Sequence, residues 1–205
     1  MSSRRKSVEE VWVPRTKLGD LVQQGLITLD KIFQNNLVVK ETEIIDTLLP
    51  QIRDEVIKIA MVQQMTASGQ KSRFKAVVIV GADGFLGVGA AKSKEVGPAI
   101  RKAIDKAKLA IVPIKRGCGS KECGCGGSHS IPFKVEGKCG SVKIRLIPSP
   151  AGVGLACADK VKQVLKLAGI EDIWSKTFGD TRTSENLVKA TFEALKNAHK
   201  FNFNI

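Results

Sequence analysis

Apolar and polar positions follow two periods along this chain, and the changes between them mark its elements. From Thr42 the apolar residues Ile44, Ile45, Leu48 and Leu49 recur at the spacing of one helical face, with Thr42 as the expected N-cap and Pro50 as the stop. Residues 55–65, EVIKIAMVQQM, change to the β-branched and apolar content of a strand, which TASGQKS interrupts. Phe74 to Val80 and Phe85 to Ala91 predict two further strands joined by the hairpin chemistry of Gly81 to Gly84. Pro98 then stands in the first turn of a helix whose apolar stripe is Ile100, Ala103, Ile104, Ala107 and Ile111.

The second half repeats the alternation on a smaller scale. Residues 131–136 and 141–147 read as strands around GKCG, and SPAGVGLACADK leads into a helix with Val161, Val164, Leu165 and Ala168 on one face and a stop at Gly169. A short strand is expected near Ile173, and a last helix capped by Ser184 presents Leu187, Val188, Thr191, Phe192 and Leu195. Residues 1–40 begin with Arg4, Arg5 and Lys6, contain the helix-disfavouring Pro14, and read as an arm anchored by Trp12.

These elements predict an α+β chain: an N-terminal arm over 1–41, a domain of order αβββα over 42–116, a Gly/Cys-rich loop over 117–130, and a small two-layer α/β domain over 131–205. Helix, three strands, helix is the order of a double-stranded-RNA-binding domain. The chain has 205 residues, 43% of them apolar, enough for a core. It has no apolar run of 18 residues, and MSSRRKSVEEVW lacks the apolar segment of a secretory signal, so a cytoplasmic protein with no membrane partner is expected.

Charge sharpens this picture. Residues 1–66 hold nine Lys/Arg and nine Asp/Glu, so the formal +13 arises entirely beyond them. Residues 67–116 carry eleven basic and three acidic side chains. A positive field so concentrated suits a polyanion, because each neutralised phosphate releases condensed counterions. Lys71, Arg73 and Lys75 lie in or beside a strand-connecting loop, Lys92 and Lys94 precede the basic helix bearing Arg101 and Lys102, and Lys115 and Arg116 follow it. They predict a phosphate cradle along one edge of the first domain; Lys143 and Arg145, two apart on one strand face, with Lys176, Thr177 and Arg182 expected in a loop, predict a weaker second surface. With no Tyr, two Trp and eight Phe, stacking of unpaired bases on exposed rings is poorly supplied, and shape and phosphate readout is the expected mode.

Catalytic motifs do not assemble. Gly81, Gly84, Gly87 and Gly89 lack the GxxxxGK[ST] spacing of a phosphate loop and read as hairpin glycines. His129 and His199 are the two histidines, and no nucleophile elbow, HExxH or paired carboxylates accompany them. The cysteine loop carries more chemistry. Cys118, Cys123, Cys125 and His129 place three thiols and an imidazole within twelve residues, a donor set that suits tetrahedral Zn²⁺. The alternative is a set of reduced thiols in a loop ordered by RNA. Cys139 is the reserve ligand, and Cys157 reads as core.

The blocks RFKAVVIVGADGFLGVGAAKSKEVGPAIRKAIDKAKLAIVPIKRG, HSIPFKVEGKCGSVKIRLIPSPAGVGLA and VLKLAGIEDIWSKTFGDTRTSENLVKATFEAL, with WVPRTKLG and KETEIIDTLLP before them, resemble the universal small-subunit ribosomal protein family five. The cysteine loop gives the resemblance an archaeal-type cast, and the eukaryotic counterpart is the cytosolic small-subunit protein numbered two. The resemblance implies a double-stranded-RNA-binding-like domain followed by an α/β domain with a left-handed crossover. It implies a structural, non-catalytic role: binding small-subunit rRNA near the decoding region, contact with messenger RNA where it enters its channel, and support of assembly and translational accuracy. Its expected protein neighbours are small-subunit families four, three and eight. By position, the loop Thr66, Ser68, Gly69, Gln70, Lys71, Ser72 and Arg73 corresponds to the family's RNA-contacting loop, and Gly140, Ser141 and Val142 to the region facing the family-four protein.

Overall fold

A computed structural model describes residues 12–200. Arg4, Arg5 and Lys6 lie outside the described residues. The chain divides into two compact units, with the boundary after Pro50.

The first unit contains three short helices, α1 (Lys17–Gln23), α2 (Leu29–Gln34) and α3 (Thr42–Leu48). The arm expected from the sequence is therefore partly helical and has a core of its own: Val22, Ile32 and Ile44 are buried, with Trp12, Leu18, Ile27, Val39 and Leu48 against them. Thr16 caps α1 by accepting the Gly19 N–H at 3.2 Å. Trp12 does anchor the segment: its indole N–H donates to Glu41 Oε2 at 3.1 Å, and the Arg15 backbone N–H donates to Glu41 Oε1 at 3.1 Å. Burial raises the Glu41 pKa, but these hydrogen bonds and those at Thr16 hold it below the ordinary value. The cap expected at Thr42 falls one residue earlier; Thr42 is the first helical residue and Glu41 occupies the N-cap without a side-chain bond.

The second unit holds two four-stranded sheets. In the first, β1 (Arg53–Thr66), β2 (Gly69–Ala82), β3 (Phe85–Ser93) and the short β4 (Val112–Pro113) lie antiparallel in sequence order. Helix α4 (Val96–Leu109) follows β3, so the order read from the sequence, helix, three strands, helix, is present. Ala76, Val78, Val80 and Ala91 pack beneath Ala99, Ala103 and Ala107 of α4. Val77 and Ile79, pointing the other way, join the main core with Leu86 and Ile114. Burial on both faces explains the unbroken AVVIV run of β2. Truncation there, such as Ile79→Ala, is expected to cost about 2–5 kcal/mol.

Beyond that run β1 and β2 continue as an exposed two-stranded ribbon, whose polar end GQKSR has nothing to bury. The turn at Asp83 and Gly84 joins β2 to β3, with Gly84 at φ +84°.

The second sheet has the order β5-β6-β8-β7, from β5 (Val135–Cys139), β6 (Val142–Pro148), β7 (Leu155–Ala156) and β8 (Ile173–Phe178). The parallel pair β7 and β8 is connected through α5 (Asp159–Leu167), and α6 (Ser184–Lys200) follows β8. The strand expected from residue 131 begins at Val135, because residues 131–134 leave the cysteine loop as irregular chain. Ser184 does not cap α6: it is the first helical residue, and its buried hydroxyl has no hydrogen-bond partner. Val135, Val142, Ile144 and Leu146 share one core with Val161, Leu165, Leu187, Val188 and Leu195 and with the far face of the first sheet.

Glycines set how closely helices approach both sheets. A Cβ at Gly87 or Gly89 would lie 2.1 Å from the carbonyl oxygen of Ala107 or Ala103, and one at Gly137 would lie 2.1 Å from that of Ala190. Gly87 and Gly89 are thus packing positions under α4 rather than hairpin residues, which also accounts for glycines that lack phosphate-loop spacing.

Candidate nucleic-acid interface and cysteine–histidine cluster

Strand alternation places Lys71, Arg73 and Lys75 on one face of β2, with Lys92 of β3 directly opposite Lys75. Where β3 ends and α4 begins, Arg73, Lys92, Ser93, Lys94, Glu95, Pro98 and Lys102 line an open groove of about 470 Å³. Four cations against one carboxylate make its wall positive, and Pro98 keeps the first turn of α4 beside it. Ser68, Gln70 and Lys71 lie at the exposed end of the same ribbon, where Thr66 Oγ1 donates to the Gly69 carbonyl oxygen at 2.8 Å. Arg101 is exposed on α4 but does not line the groove.

Other predicted cations are placed differently. Lys75 turns inward to an ion pair with Glu185. Lys115 and Arg116 follow β4, which pairs with Phe85 and Leu86 at the start of β3, whereas Lys92 and Lys94 stand at or beyond its other end. At about 3.3 Å per residue these two groups are roughly 23 Å apart along the strand, so the single cradle expected along one edge is divided. Arg116 donates to the Gly169 carbonyl oxygen at 3.2 Å. Lys143 and Arg145 share one face, as their spacing predicted, and both pair with Glu136, at 2.8 and 2.6 Å. Lys176 and Thr177, expected in a loop, instead lie in β8, where Lys176 is in register with Arg145. Those two cations hold the Glu136 carboxyl below its ordinary value. Trp174 and Phe178 are 38% and 47% exposed, with the Arg145 guanidinium 5.8 Å from the Phe178 ring centre. Exposed rings are thus less scarce than the composition suggested.

The structure brings Cys118, Cys123, Cys125 and His129 together, with their ligand atoms within 4.8 Å of one another. The loop is closed at its base by the Gly117–Ser130 bridge and by the Gly119 N–H to the Ile131 carbonyl at 3.1 Å. Cys123 Sγ lies 3.0 Å from Cys125 Sγ and 3.8 Å from His129 Nε2. Tetrahedral zinc, with Zn–S of about 2.3 Å and Zn–N of about 2.0–2.1 Å, sets ligand atoms roughly 3.5–3.8 Å apart. The donor types fit, the Cys123–His129 separation matches, and the Cys123–Cys125 pair would have to open slightly. The Cys123 thiol is pulled down to about 6, first by the Cys125 thiol and then by backbone N–H groups of Ala151 and Cys125. Cys118 is pushed up to about 11 by desolvation and by its thiol neighbours. A cation among the three sulfurs would favour their thiolate forms.

Cys139, the reserve ligand of the sequence reading, is outside the cluster and 4.0 Å from Asn186 Oδ1. Cys157 is half-buried against the main core, and desolvation raises its thiol pKa. Sequence reasoning missed Asp172, 43 residues beyond His129, whose Oδ2 lies 2.9 Å from His129 Nδ1. The Gly154 N–H, donating to Oδ1 at 2.7 Å, is the main reason the Asp172 pKa is low; burial opposes it, and Gly152 and His129 help.

Comparison with known proteins gives the family. Ribosomal protein S5, N-terminal domain, matches residues 52–115, and Ribosomal protein S5, C-terminal domain, matches residues 137–204. Small ribosomal subunit protein uS5 of Thermofilum pendens is 55% identical over 192 residues, covering 93% of this chain and 95% of its own. The uS5 protein of Methanocaldococcus jannaschii is 55% identical over 194 residues, covering 94% and 89%. That of Pyrobaculum islandicum is 51% identical over 193 residues, covering 93% and 96%. With both domains matched and identity running over nearly its whole length, the chain belongs to the uS5 family, whose members are proteins of the small ribosomal subunit and not enzymes.

Proposed function

We propose that this protein is a structural constituent of the small ribosomal subunit in the cytoplasm, binding small-subunit rRNA by charge and shape without turnover. The observation that carries the reading is the groove of Arg73, Lys92, Lys94 and Lys102, at the root of a ribbon that presents Ser68, Gln70 and Lys71. Phosphates seated there exchange condensed counterions for fixed ammonium and guanidinium groups, and the rigid ribbon reads helix shape. Residues 42–116 are the proposed RNA-facing part. Its place is near the decoding region, beside the channel that messenger RNA enters, among small-subunit proteins of families three, four and eight, where it supports assembly and accuracy. Binding of the purified chain to small-subunit rRNA should weaken steeply with salt. Affinity indifferent to ionic strength would overturn the reading.

The cysteine loop is proposed to hold a structural Zn²⁺ on Cys118, Cys123, Cys125 and His129. The support is their convergence in a segment with almost nothing apolar to bury. The ion supplies the positive charge that lets three thiolates share one site, and coordination supplies the order that burial does not. Stoichiometric zinc in protein purified without chelator is the expected result.

A further inference from the structure

Asp172 is an acid buried without any Lys or Arg ion-pair partner among those that the structure shows. Its residue exposure is 5%, and its side-chain partner is the His129 imidazole, the two side chains being 7% and 11% exposed. Burying a carboxylate is costly unless its oxygens are satisfied, and both of these are used. One faces His129 Nδ1, and the other accepts from Gly154. With Nδ1 bearing the proton toward a carboxylate, the imidazole presents Nε2 as an electron-pair donor, and Nε2 faces Cys123.

The backbone follows the same path. The His129 carbonyl oxygen accepts from the Glu171 and Asp172 N–H groups, at 2.9 and 3.2 Å, and the Ile173 N–H donates to the Gly154 carbonyl at 3.1 Å. Ile173 is where β8 pairs with β7 at Leu155. Meanwhile the loop begins at Gly117, just beyond β4 of the first sheet. The cysteine–histidine cluster thus stands between the exit of one sheet and the entrance to the inner strand of the other.

We propose that Asp172 is the positioning residue of this site, fixing His129 for the metal, and that through it the bound ion clasps the cysteine loop to the turn between α5 and β8. This rests on the zinc reading given above. Zinc binding draws electron density from the imidazole and strengthens its N–H bond to the carboxylate, so occupancy of the loop and order of the turn are coupled.

The test uses the full chain with Zn²⁺ and with Co²⁺ as its spectroscopic substitute. In the wild-type protein, Co²⁺ should give a tetrahedral thiolate spectrum, and Zn²⁺ should slow hydrogen exchange at Cys123 to His129 and also at Asp172 and Ile173. Asp172→Asn should keep the thiolate-to-cobalt band, lower Zn²⁺ affinity about 10–100-fold, and lose the zinc-dependent protection at Ile173. Cys125→Ser, which removes a ligand, should instead change the band itself. A wild-type protein that takes up neither ion refutes the zinc reading and this proposal with it. Metal binding with Asp172→Asn unchanged in affinity and in exchange overturns the role of Asp172 alone. Should that variant not fold, the wild-type exchange decides: protection confined to the loop, absent from Asp172 and Ile173, sinks the clasp.

Discussion

Lys75 and Glu185, 110 residues apart, form an ion pair that ties strand β2 to helix α6, and Glu185 also accepts from Lys189 at 2.7 Å. The same β2 face that supplies Arg73 to the groove therefore gives its next cation to holding the two sheets together. Removing Glu185 takes the ion-pair partner from half-buried Lys75, whereas removing Lys75 leaves Glu185 with Lys189. Glu185→Gln should therefore destabilise the protein by about 1–2 kcal/mol in urea unfolding, and Lys75→Met by less.

The pair also sets a pH dependence. Burial raises the Glu185 pKa, but Lys189 and Lys75 lower it more, to below its ordinary value of 4.5. A depressed carboxylate stabilises fully above its unfolded value and loses that contribution as pH falls through the folded one. The stability gap between wild type and Glu185→Gln should be constant at neutral pH and shrink as pH drops below about 4.5. Equilibrium unfolding across that range measures it, and a gap that widens in acid contradicts the assignment.

Gly87 and Gly97 make opposite predictions for one substitution. A Cβ at Gly87 meets the Ala107 carbonyl, whereas one at Gly97 in α4 meets nothing within 4 Å. Gly87→Ala should cost about 2 kcal/mol or more as helix and sheet are forced apart. Gly97→Ala should stabilise by about 0.5–1 kcal/mol through helix propensity and unfolded-state entropy. Denaturant midpoints of the two variants separate the cases.

For RNA binding, the groove and Arg116 should behave differently. Arg73→Glu and Lys102→Glu should each lower affinity for small-subunit rRNA and reduce the slope of log affinity against log salt by about 1. Arg116→Met strips the partner from the Gly169 carbonyl. It should lower the unfolding midpoint and leave the salt slope unchanged. Equal slopes for all three variants would remove the groove from the interface.

In metal-free protein the thiols should alkylate in a fixed order. Cys123, pulled down to about 6, should react before Cys118, pushed up to about 11, near neutral pH. Peptide mass mapping at short reaction times reads the order, and zinc should protect both.

What the sequence revealed and what it concealed divide on physical grounds. Helix α4 was legible from its helical period, strands β2 and β3 from short apolar, β-branched runs bounded by glycine turns, and the cysteine cluster because its ligands are close in sequence. The fates of Lys75, Lys143 and Arg145 depended on Glu185 and Glu136, which reach them only through tertiary packing and strand register. Helices α1 and α2, seven and six residues long, are too short for a periodic signal and are held by Trp12, Ile32 and Ile44 from separate segments. Thr42 and Ser184, read as caps, are instead the first helical residues, because backbone geometry starts each helix one residue earlier than the polar side chain suggests. Asp172 gave no local sign at all, being one acid in an acidic pair before a strand.

The distance along the chain from His129 to Asp172 also orders events during synthesis. A nascent polypeptide displays the three thiols and the imidazole while the carboxylate beside that imidazole is still untranslated, so an ion captured early would lack its support. On the zinc reading, secure capture would wait until the stretch leading into β8 has emerged, so that completing the second sheet and retaining the ion would coincide.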